Sequence, residues 1–261
     1  MSSHRLTPFV SLALALASPA AETPPPVSAT ELAARLSTLR QDGATYVRLR
    51  MEINGAKKET LQLQIKQRRT KAATEVVYQV LWPKERKGES VLLRKIGNRA
   101  PSGTTFVPPN TTSSIDDFKD SLLGGDLSYE DAVEDFFAWE QQAIVGAEAV
   151  DGIACQILES KPGKGERSIY GRVRSWIDIR RLVPLKVEKY SASGQLLRRI
   201  ETTKVVSDAG HYLPANLTVR NLRGGSTDLD GSRIKHDVSY SDRDFTADGL
   251  REAVTPRGSP E

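Results

Sequence analysis

The densest group of side chains that could perform acid–base chemistry lies near the middle of the chain. Asp126, Glu130 and Asp131 place three carboxyl groups within six residues. A general acid and a general base need carboxyl groups in different environments, at least one with a pKa raised by burial. Ser128 and Asp131 instead have the spacing of a capping box at a helix start, where solvent and the helix dipole favour charged carboxylates. We therefore expect this motif to cap a helix and fix the loop before it, with Tyr129 packed inward.

A second acidic stretch half-matches a calcium-binding loop. Residues 226–231, followed by Asp237, have roughly the right spacing, but Ser226 stands where the loop needs an acid and Asp237 where it needs glutamate. A hairpin turn at Asp230-Gly231 explains the same residues more simply. The sequence shows no other metal-ligand spacing, so we expect no metal and no cofactor.

Residues for nucleophilic catalysis are sparse. Beyond His4, the chain has two histidines, His211 and His236, and it has no Gly-x-Ser-x-Gly elbow. We expect no catalytic residues and therefore no enzyme. A hydrolase would become the better hypothesis if the fold placed either histidine within hydrogen-bond reach of both a carboxylate and a serine.

The single cysteine and the charge balance exclude further classes. Cys155 alternates with Ile153 and Ile157, which predicts a thiol buried as a small apolar side chain and allows no internal disulfide. Lys and Arg number 37 and Asp and Glu number 33. The basic clusters contain no interleaved aromatic residues, so we expect an ordinary charged surface and no nucleic-acid partner.

The elements that position these residues are mostly strands. Apolar and polar residues alternate in regular short segments separated by turn residues, and Asn54-Gly55 is typical of a two-residue hairpin turn. The alternation predicts strands over residues 46–53, 61–66, 75–82, 90–96, 104–107, 138–145, 153–159, 169–178, 182–190, 196–206, 212–222 and 234–240. Helical spacing predicts helices over 30–40, 116–123, 128–137 and 246–253.

About a dozen antiparallel strands cannot form one flat sheet, because native twist makes so wide a sheet curl. The alternation places apolar residues on one face, and the few helices can cover only part of it. The sequence therefore predicts an apolar concave face that could hold an apolar ligand. Its expected lining comes from the first hairpin: Val47, Leu49, Met51, Leu61, Leu63 and Ile65.

The chain ends predict export. Residues 1–21 combine a basic start, a short apolar stretch and a small-residue cleavage site, which is typical of a secretory signal peptide. Residues 22–29 form a proline-rich spacer, 30–253 one domain, and 254–261 a flexible tail. No cysteine follows the small residues, so we expect release of the protein without a lipid anchor.

The middle of the chain contains the stretch GGDLSYED at residues 124–131. This stretch resembles GSDFSYED, the signature of outer-membrane lipoprotein-sorting proteins in the LolA/LolB-like superfamily, although Gly125 and Leu127 stand where the family has serine and an aromatic residue. Further similar motifs follow in the family's order at residues 176–178, 184–186, 190–197, 211–214, 219–221 and 244–250.

The resemblance implies an α+β fold that is mostly antiparallel β: an incompletely closed half-barrel with an N-terminal helix and a small helical lid. In the lid loop it draws attention to Gly125, Asp126, Ser128, Tyr129, Glu130 and Asp131. It implies a monomeric periplasmic carrier that holds the acyl chains of lipids or lipoproteins non-covalently, with an inner- or outer-membrane transport component as a further partner. The alternative is a periplasmic adaptor for an envelope transporter that carries nothing.

Overall fold

The computed structural model describes residues 27–40, 43–70, 72–208, 210–221 and 224–252. The predicted signal peptide at 1–21, most of the spacer and the predicted tail at 254–261 lie outside the described residues. Within them, the chain is mostly antiparallel β and forms a single sheet of thirteen strands with few helices.

Three α-helices and thirteen strands make up this part of the chain. The helices are α1 (Ala29–Arg40), α2 (Tyr129–Val133) and α3 (Ala247–Glu252). The strands are β1 (Ala44–Asn54), β2 (Lys58–Arg69), β3 (Ala73–Trp82), β4 (Ser90–Ile96), β5 (Ser102–Val107), β6 (Thr111–Ser114), β7 (Gln141–Val150), β8 (Ile153–Lys161), β9 (Arg172–Asp178), β10 (Val183–Tyr190), β11 (Leu196–Asp208), β12 (His211–Asn221) and β13 (Ser226–Lys235).

The sheet consists of two meanders joined at its centre. Its order is β6-β5-β4-β3-β2-β1-β13-β12-β11-β10-β9-β8-β7, so the first and last strands of the chain are neighbours. Their register pairs Met51 with Leu229 and Ile53 with Thr227. The two edge strands, β6 and β7, are not paired with each other, so the sheet is unclosed.

The chain must cross from one edge of the sheet to the other between β6 and β7. Residues 115–140, called the insert below, make this crossing over one face of the sheet, the inner face. Glu134 in the insert contacts Lys95 of β4, and Asp131 contacts Lys189 of β10. β4 and β10 are seven strand intervals apart, about 34 Å in a flat sheet, whereas Asp131 and Glu134 are about one helical turn apart. The sheet therefore curls around the insert.

Apolar side chains fill much of the inner face in two clusters. One lies under α1, where Leu32 and Leu36 pack on Leu158 and Ile177. The other lies under the insert and includes Met51, Leu61, Leu63, Leu93, Leu122 and Val133. On the outer face, Phe245 and Leu250 of the C-terminal segment cover Val77, Leu92 and Phe106.

The predicted N- and C-terminal helices are confirmed. Ser28 Oγ accepts a hydrogen bond from the backbone N–H of Glu31 at 3.2 Å, as expected of a cap. The predicted burial of Cys155 is also confirmed, because the side chain packs with Trp176, Val183 and Leu185.

The end of the sheet differs from its prediction. The last strand is Ser226–Lys235 instead of 234–240, and the expected turn at Asp230-Gly231 lies inside it. The local turn signal was misleading because Asp228 and Asp230 are outward-facing strand residues, bonded to Thr218 and Asn216 of the neighbouring strand.

Three further predictions are wrong in detail. The first hairpin has a loop over residues 55–57, because Asn54 pairs with Lys58 and also donates to Asp228. Strand β6 was not predicted, since its four residues are all Thr or Ser. The helices expected at 116–123 and 128–137 shrink to α2 and short 3₁₀ turns at Leu122–Gly124 and Phe136–Ala138.

The C-terminal segment should be essential for stability. Phe245 is fully buried on the outer face, so Phe245→Ala should lower the free energy of unfolding by about 3–5 kcal/mol, measured by denaturant titration. Ile96→Ala, at a side chain 44% exposed, is the matched control and should cost far less. Equal losses would show that the C-terminal segment does not seal the outer face.

Candidate functional site

One end of the inner face is filled and the other is open. Along β1, Met51 and Ile53 are buried under the insert, whereas Val47 and Leu49 are only half-buried. The same gradient appears in β12, where Val219 is buried but Leu213 and Leu217 are half-buried, and in β13, where Thr227 is buried but Leu229 is half-buried. The insert therefore stops short of one end and leaves partly exposed apolar side chains there.

Two adjoining cavities occupy this open end. The first, of about 590 Å³, lies between the end of α1 and the sheet and is lined by apolar residues that include Leu39, Val47, Leu213 and Ile234. The second, of about 520 Å³, includes Val47, Leu49, Val206, Leu217, Leu229 and Ile234 in its lining. Val47, Asp208 and Ile234 line both cavities. Their volumes fall within the range of small-molecule sites.

The first cavity also has polar residues in its lining. His236 Nε2 is 2.8 Å from a carboxylate oxygen of Asp208, and His211 and Arg69 also line the cavity. A histidine and a carboxylate are two parts of a hydrolytic triad. Within the described residues, no serine hydroxyl bonds to His236, so the pair has no partnered nucleophile.

The six side chains expected to line an apolar cavity divide into two groups. Val47 and Leu49 line the cavities. Met51, Leu61 and Leu63 are buried against the insert in the apolar core, and Ile65 is 8% exposed on the same face. Leu213, Leu217, Leu229 and Ile234 were not singled out from sequence, because they reach Val47 and Leu49 only through the pairing of β13 with β1, which is distant in the chain.

The signature motif fixes the insert to the inner face. Asp126 accepts a hydrogen bond from Thr227 Oγ1 at 2.7 Å and another from Asn221 Nδ2, while its backbone N–H donates to Thr227 Oγ1 at 2.9 Å. At Gly125, an added Cβ would meet Met51 Cε and would lie 3.2 Å from Thr227 Oγ1. A larger residue at this position would therefore have to displace the end of the Met51 side chain.

The predicted capping box at α2 is present. Ser128 Oγ accepts from the Asp131 backbone N–H at 3.2 Å, and Asp131 accepts from the Ser128 backbone N–H at 2.7 Å. Tyr129 is half-buried and stacks edge-on with Phe118. The expectation that the acids of this motif face solvent is wrong, because Glu130 is 2% exposed and the Asp131 side chain is fully buried.

Asp131 is the centre of a buried ionic network. Lys189 Nζ and Tyr170 Oη each donate to one of its carboxylate oxygens at 2.7 Å, and Arg198 Nη1 donates to the other at 2.5 Å. Lys189 also lies 5.0 Å from the ring centroid of Phe136. The insert is thus bonded to both β10 and β11 through one side chain.

Electrostatics keep this network charged although it is buried. Burial alone would raise the pKa of Asp131, but Lys189 and Arg198 reverse the effect and lower it to about 2. Burial raises the pKa of Glu130 above its ordinary value, although Ser168 Oγ and the Ile169 backbone N–H donate to its carboxylate. Burial likewise raises the pKa of Tyr170, which stays a neutral donor.

Lys189 and Arg198 were not predicted as site residues, although the sequence contains a signal for them. In β10, Lys189 follows Val187 at a spacing of two, so it shares the inward phase. Arg198 precedes Ile200 in the same way on β11. A cation in an apolar phase needs a buried acid, and the acidic signature motif contains one.

Solved structures share this fold. A DUF1329 family protein from Desulfovibrio piger matches with a TM-score of 0.79 at 24% identity, over 85% of this chain and 97% of that one. A domain from Vibrio parahaemolyticus, assigned to outer membrane lipoprotein-sorting proteins, matches with a TM-score of 0.77 at 20% identity. The match covers 85% of this chain and 98% of that one. A LolA superfamily protein from Nitrosomonas europaea matches with a TM-score of 0.69 at 19% identity, over 86% of this chain and 100% of that one.

These likenesses confirm the LolA-like resemblance at the level of the fold. Residues 72–252 also match a family described as uncharacterized protein-like, and the chain belongs to that family. Among curated proteins, none matches the sequence at a significant level. No helix in the described ranges is long and apolar enough to cross a membrane.

Removing the central carboxylate should destabilise the fold. Asp131→Asn leaves Lys189 and Arg198 buried without their acid, which typically costs about 3–5 kcal/mol. Denaturant titration should show this loss, and Asp116→Asn, at an exposed acid of the same insert, should be near neutral. A near-neutral Asp131→Asn would mean that the network is not what holds the insert.

The same carboxylate should give a specific acid dependence. The pKa of Asp131 falls from 3.8 to about 2 on folding, so its charged carboxylate stabilises the folded state fully at pH values above 3.8. That stabilisation is lost as the pH falls through the folded-state pKa of about 2. The stability gap between wild type and Asp131→Asn should therefore narrow between about pH 4 and pH 2. A constant gap over that range contradicts the assignment; parallel titrations at several pH values measure it.

Proposed function

We propose that the protein is a carrier that holds the acyl chain of a lipid or lipoprotein non-covalently at the open end of the inner face. The observation that carries the proposal is the burial gradient: β1, β12 and β13 all change from buried to half-buried apolar residues where the insert ends. The apolar side chains left uncovered there line two adjoining cavities.

The energetics of such a site favour an alkyl chain. Each methylene group taken out of water contributes about 0.8 kcal/mol, so a buried segment of eight methylenes contributes roughly 6 kcal/mol before the costs of ordering. Binding of this kind needs no reacting group. We therefore propose transport without covalent chemistry.

The insert acts, in our proposal, as a fixed stopper for the cavity rather than a lid that opens. Three separate contacts support this: Asp131 with Lys189 and Arg198, Glu134 with Lys95, and Asp126 with Thr227. Breaking all three would expose buried charges, so movement of the whole insert would be costly. Exchange of ligand would then occur at the open end.

The cellular setting of the proposal is the periplasm. The predicted signal peptide at 1–21 would deliver the protein to this compartment. The fold is shared with a lipoprotein-sorting domain and a LolA superfamily protein, which supports a role in outer-membrane lipoprotein or lipid sorting. We propose a monomer that exchanges cargo with a membrane transport component.

A charged side chain placed in the cavity should weaken ligand binding strongly without unfolding the protein. Leu49→Glu and Ile234→Glu each place a carboxylate among apolar cavity residues and should weaken binding of a fluorescent fatty acid by at least about tenfold. Val107→Glu, at a side chain 45% exposed and outside both cavities, is the matched control and should bind like wild type.

Mass spectrometry of the protein isolated from periplasm gives an independent check, because a carrier should retain copurified lipid. If neither the purified protein nor the fluorescence titration shows binding of any acyl chain, the carrier proposal is wrong. Recovery of a stable complex with a transporter subunit, without lipid, would then establish the adaptor alternative.

A further inference from the structure

The pairing between strands β12 and β13 stops halfway along their length. Their ladder ends at the pair Asn216 and Asp230, although β12 begins at His211 and β13 continues to Lys235. The neighbouring ladders are irregular at the same level: β13 bulges beside Arg48–Leu49, and β11 and β12 shift register between Thr202 and Val205. We call the resulting gap between residues 211–215 and 231–235 the fork.

The fork opens into the cavities described above. Leu213 on one side and Ile234 on the other both line the 590 Å³ cavity. Pro214 and Ala215 on one side, and Gly231 on the other, line the 520 Å³ cavity. Proline suits an unpaired edge, because it has no backbone N–H to donate to a neighbouring strand. At the far end of the fork, His236 contacts Asp208.

The rim of the fork carries positive charge without matching acids. Lys204 and Arg233 line the 520 Å³ cavity and are exposed. Arg48 lies directly opposite Arg233 in the β1–β13 ladder, an arrangement that destabilises a sheet when both residues carry the same charge. Arg48 Nε donates to the Tyr46 hydroxyl at 2.8 Å, and within the described residues none of these three cations forms an ion pair.

Other outer-face cations show that this lack of pairing is local. Arg50, two residues from Arg48, pairs with Asp230 at 3.0 Å, and Arg199 pairs with Glu188 at 2.7 Å. The acids nearest the fork do not neutralise its rim, because Asp208 is engaged by His236, and Asp237 lines only the other cavity. A cationic rim beside an apolar cavity is complementary to an amphiphile with an anionic head.

We propose that the fork is the entrance for the ligand and that Lys204, Arg233 and Arg48 bind its anionic head group, a phosphate or a carboxylate. This inference rests on the proposed carrier function and specifies its cargo as anionic amphiphiles. The acyl chain passes between β12 and β13 into the cavities, while the head group stays at the rim in contact with solvent.

The head-group assignment is tested with two lysophospholipids that share one acyl chain, titrated as monomers into the full mature protein. Lysophosphatidylglycerol is anionic and lysophosphatidylcholine is zwitterionic; glycerol phosphate serves as a head group without a chain. Wild type should prefer the anionic lipid by about tenfold at low salt, and added salt should reduce the preference. Lys204→Gln combined with Arg233→Gln should abolish the preference, so that the two lipids bind with about equal affinity.

Arg99→Gln combined with Lys164→Gln removes the same net charge at exposed positions outside both cavities and is the matched control. Equal affinities of wild type for the two lipids, or an equal effect of the control pair, overturns the head-group inference and leaves the carrier proposal intact. Failure of both lipids to bind overturns the carrier proposal itself. Glycerol phosphate binding as tightly as the lipid would show an anion site independent of the cavity.

The proposed entrance is tested by cross-linking the two sides of the fork. Asp208→Cys and His236→Cys replace two side chains that touch across its end, and a short bismaleimide then bridges them; Cys155 is buried and does not compete. Stopped-flow association of lysophosphatidylglycerol should slow by tenfold or more after bridging. The same variant capped with a monofunctional maleimide is the control. Unchanged association after bridging means that ligand enters elsewhere.

Discussion

The contact of Asp131 with Lys189 and Arg198 is the interaction on which the rest of the molecule depends. It binds the insert to β10 and β11, while Glu134, one helical turn further on, binds it to β4. Strands that would be far apart in a flat sheet are thereby held at one short helix. The curl, the filled half of the inner face and the limit of the open half all follow from this attachment.

Such a network is a costly way to hold a segment in place. Two carboxylates, Asp131 and Glu130, are buried with two cations, and apolar replacements of similar volume often stabilise proteins more than buried ion pairs do. The ionic contacts fix the position of the insert, because Asp131 can contact both Lys189 and Arg198 at only one place on the sheet. An apolar insert could slide along the inner face and close the cavities.

The sequence predicts well whatever depends on neighbouring residues. Alternation locates most strands, and the spacing of Ser128 and Asp131 predicts the capping box. The last strand was misplaced because Asp230-Gly231 carries a strong local turn signal that side-chain bonds to Asn216 and Arg50 override. Val47 and Leu49 of the cavity lining were expected from the sequence, whereas the lining residues of β13 were beyond reach, because β13 pairs with the distant strand β1. The fork was also beyond reach, since alternation does not show where the pairing of two consecutive strands stops.

The neighbouring positions of β1 and β13 also affect how the chain can fold. Arg50 and Asp230, which contact each other at the centre of the sheet, are separated by 180 residues of sequence. Contacts of such high sequence separation slow folding, because a long loop must close before they stabilise anything. Until the final strand has emerged, β1 has an open edge and the two meanders are not joined. The chain therefore reaches its native state only after synthesis is nearly complete, because the strand that joins the two meanders is the last of the thirteen described strands to be made.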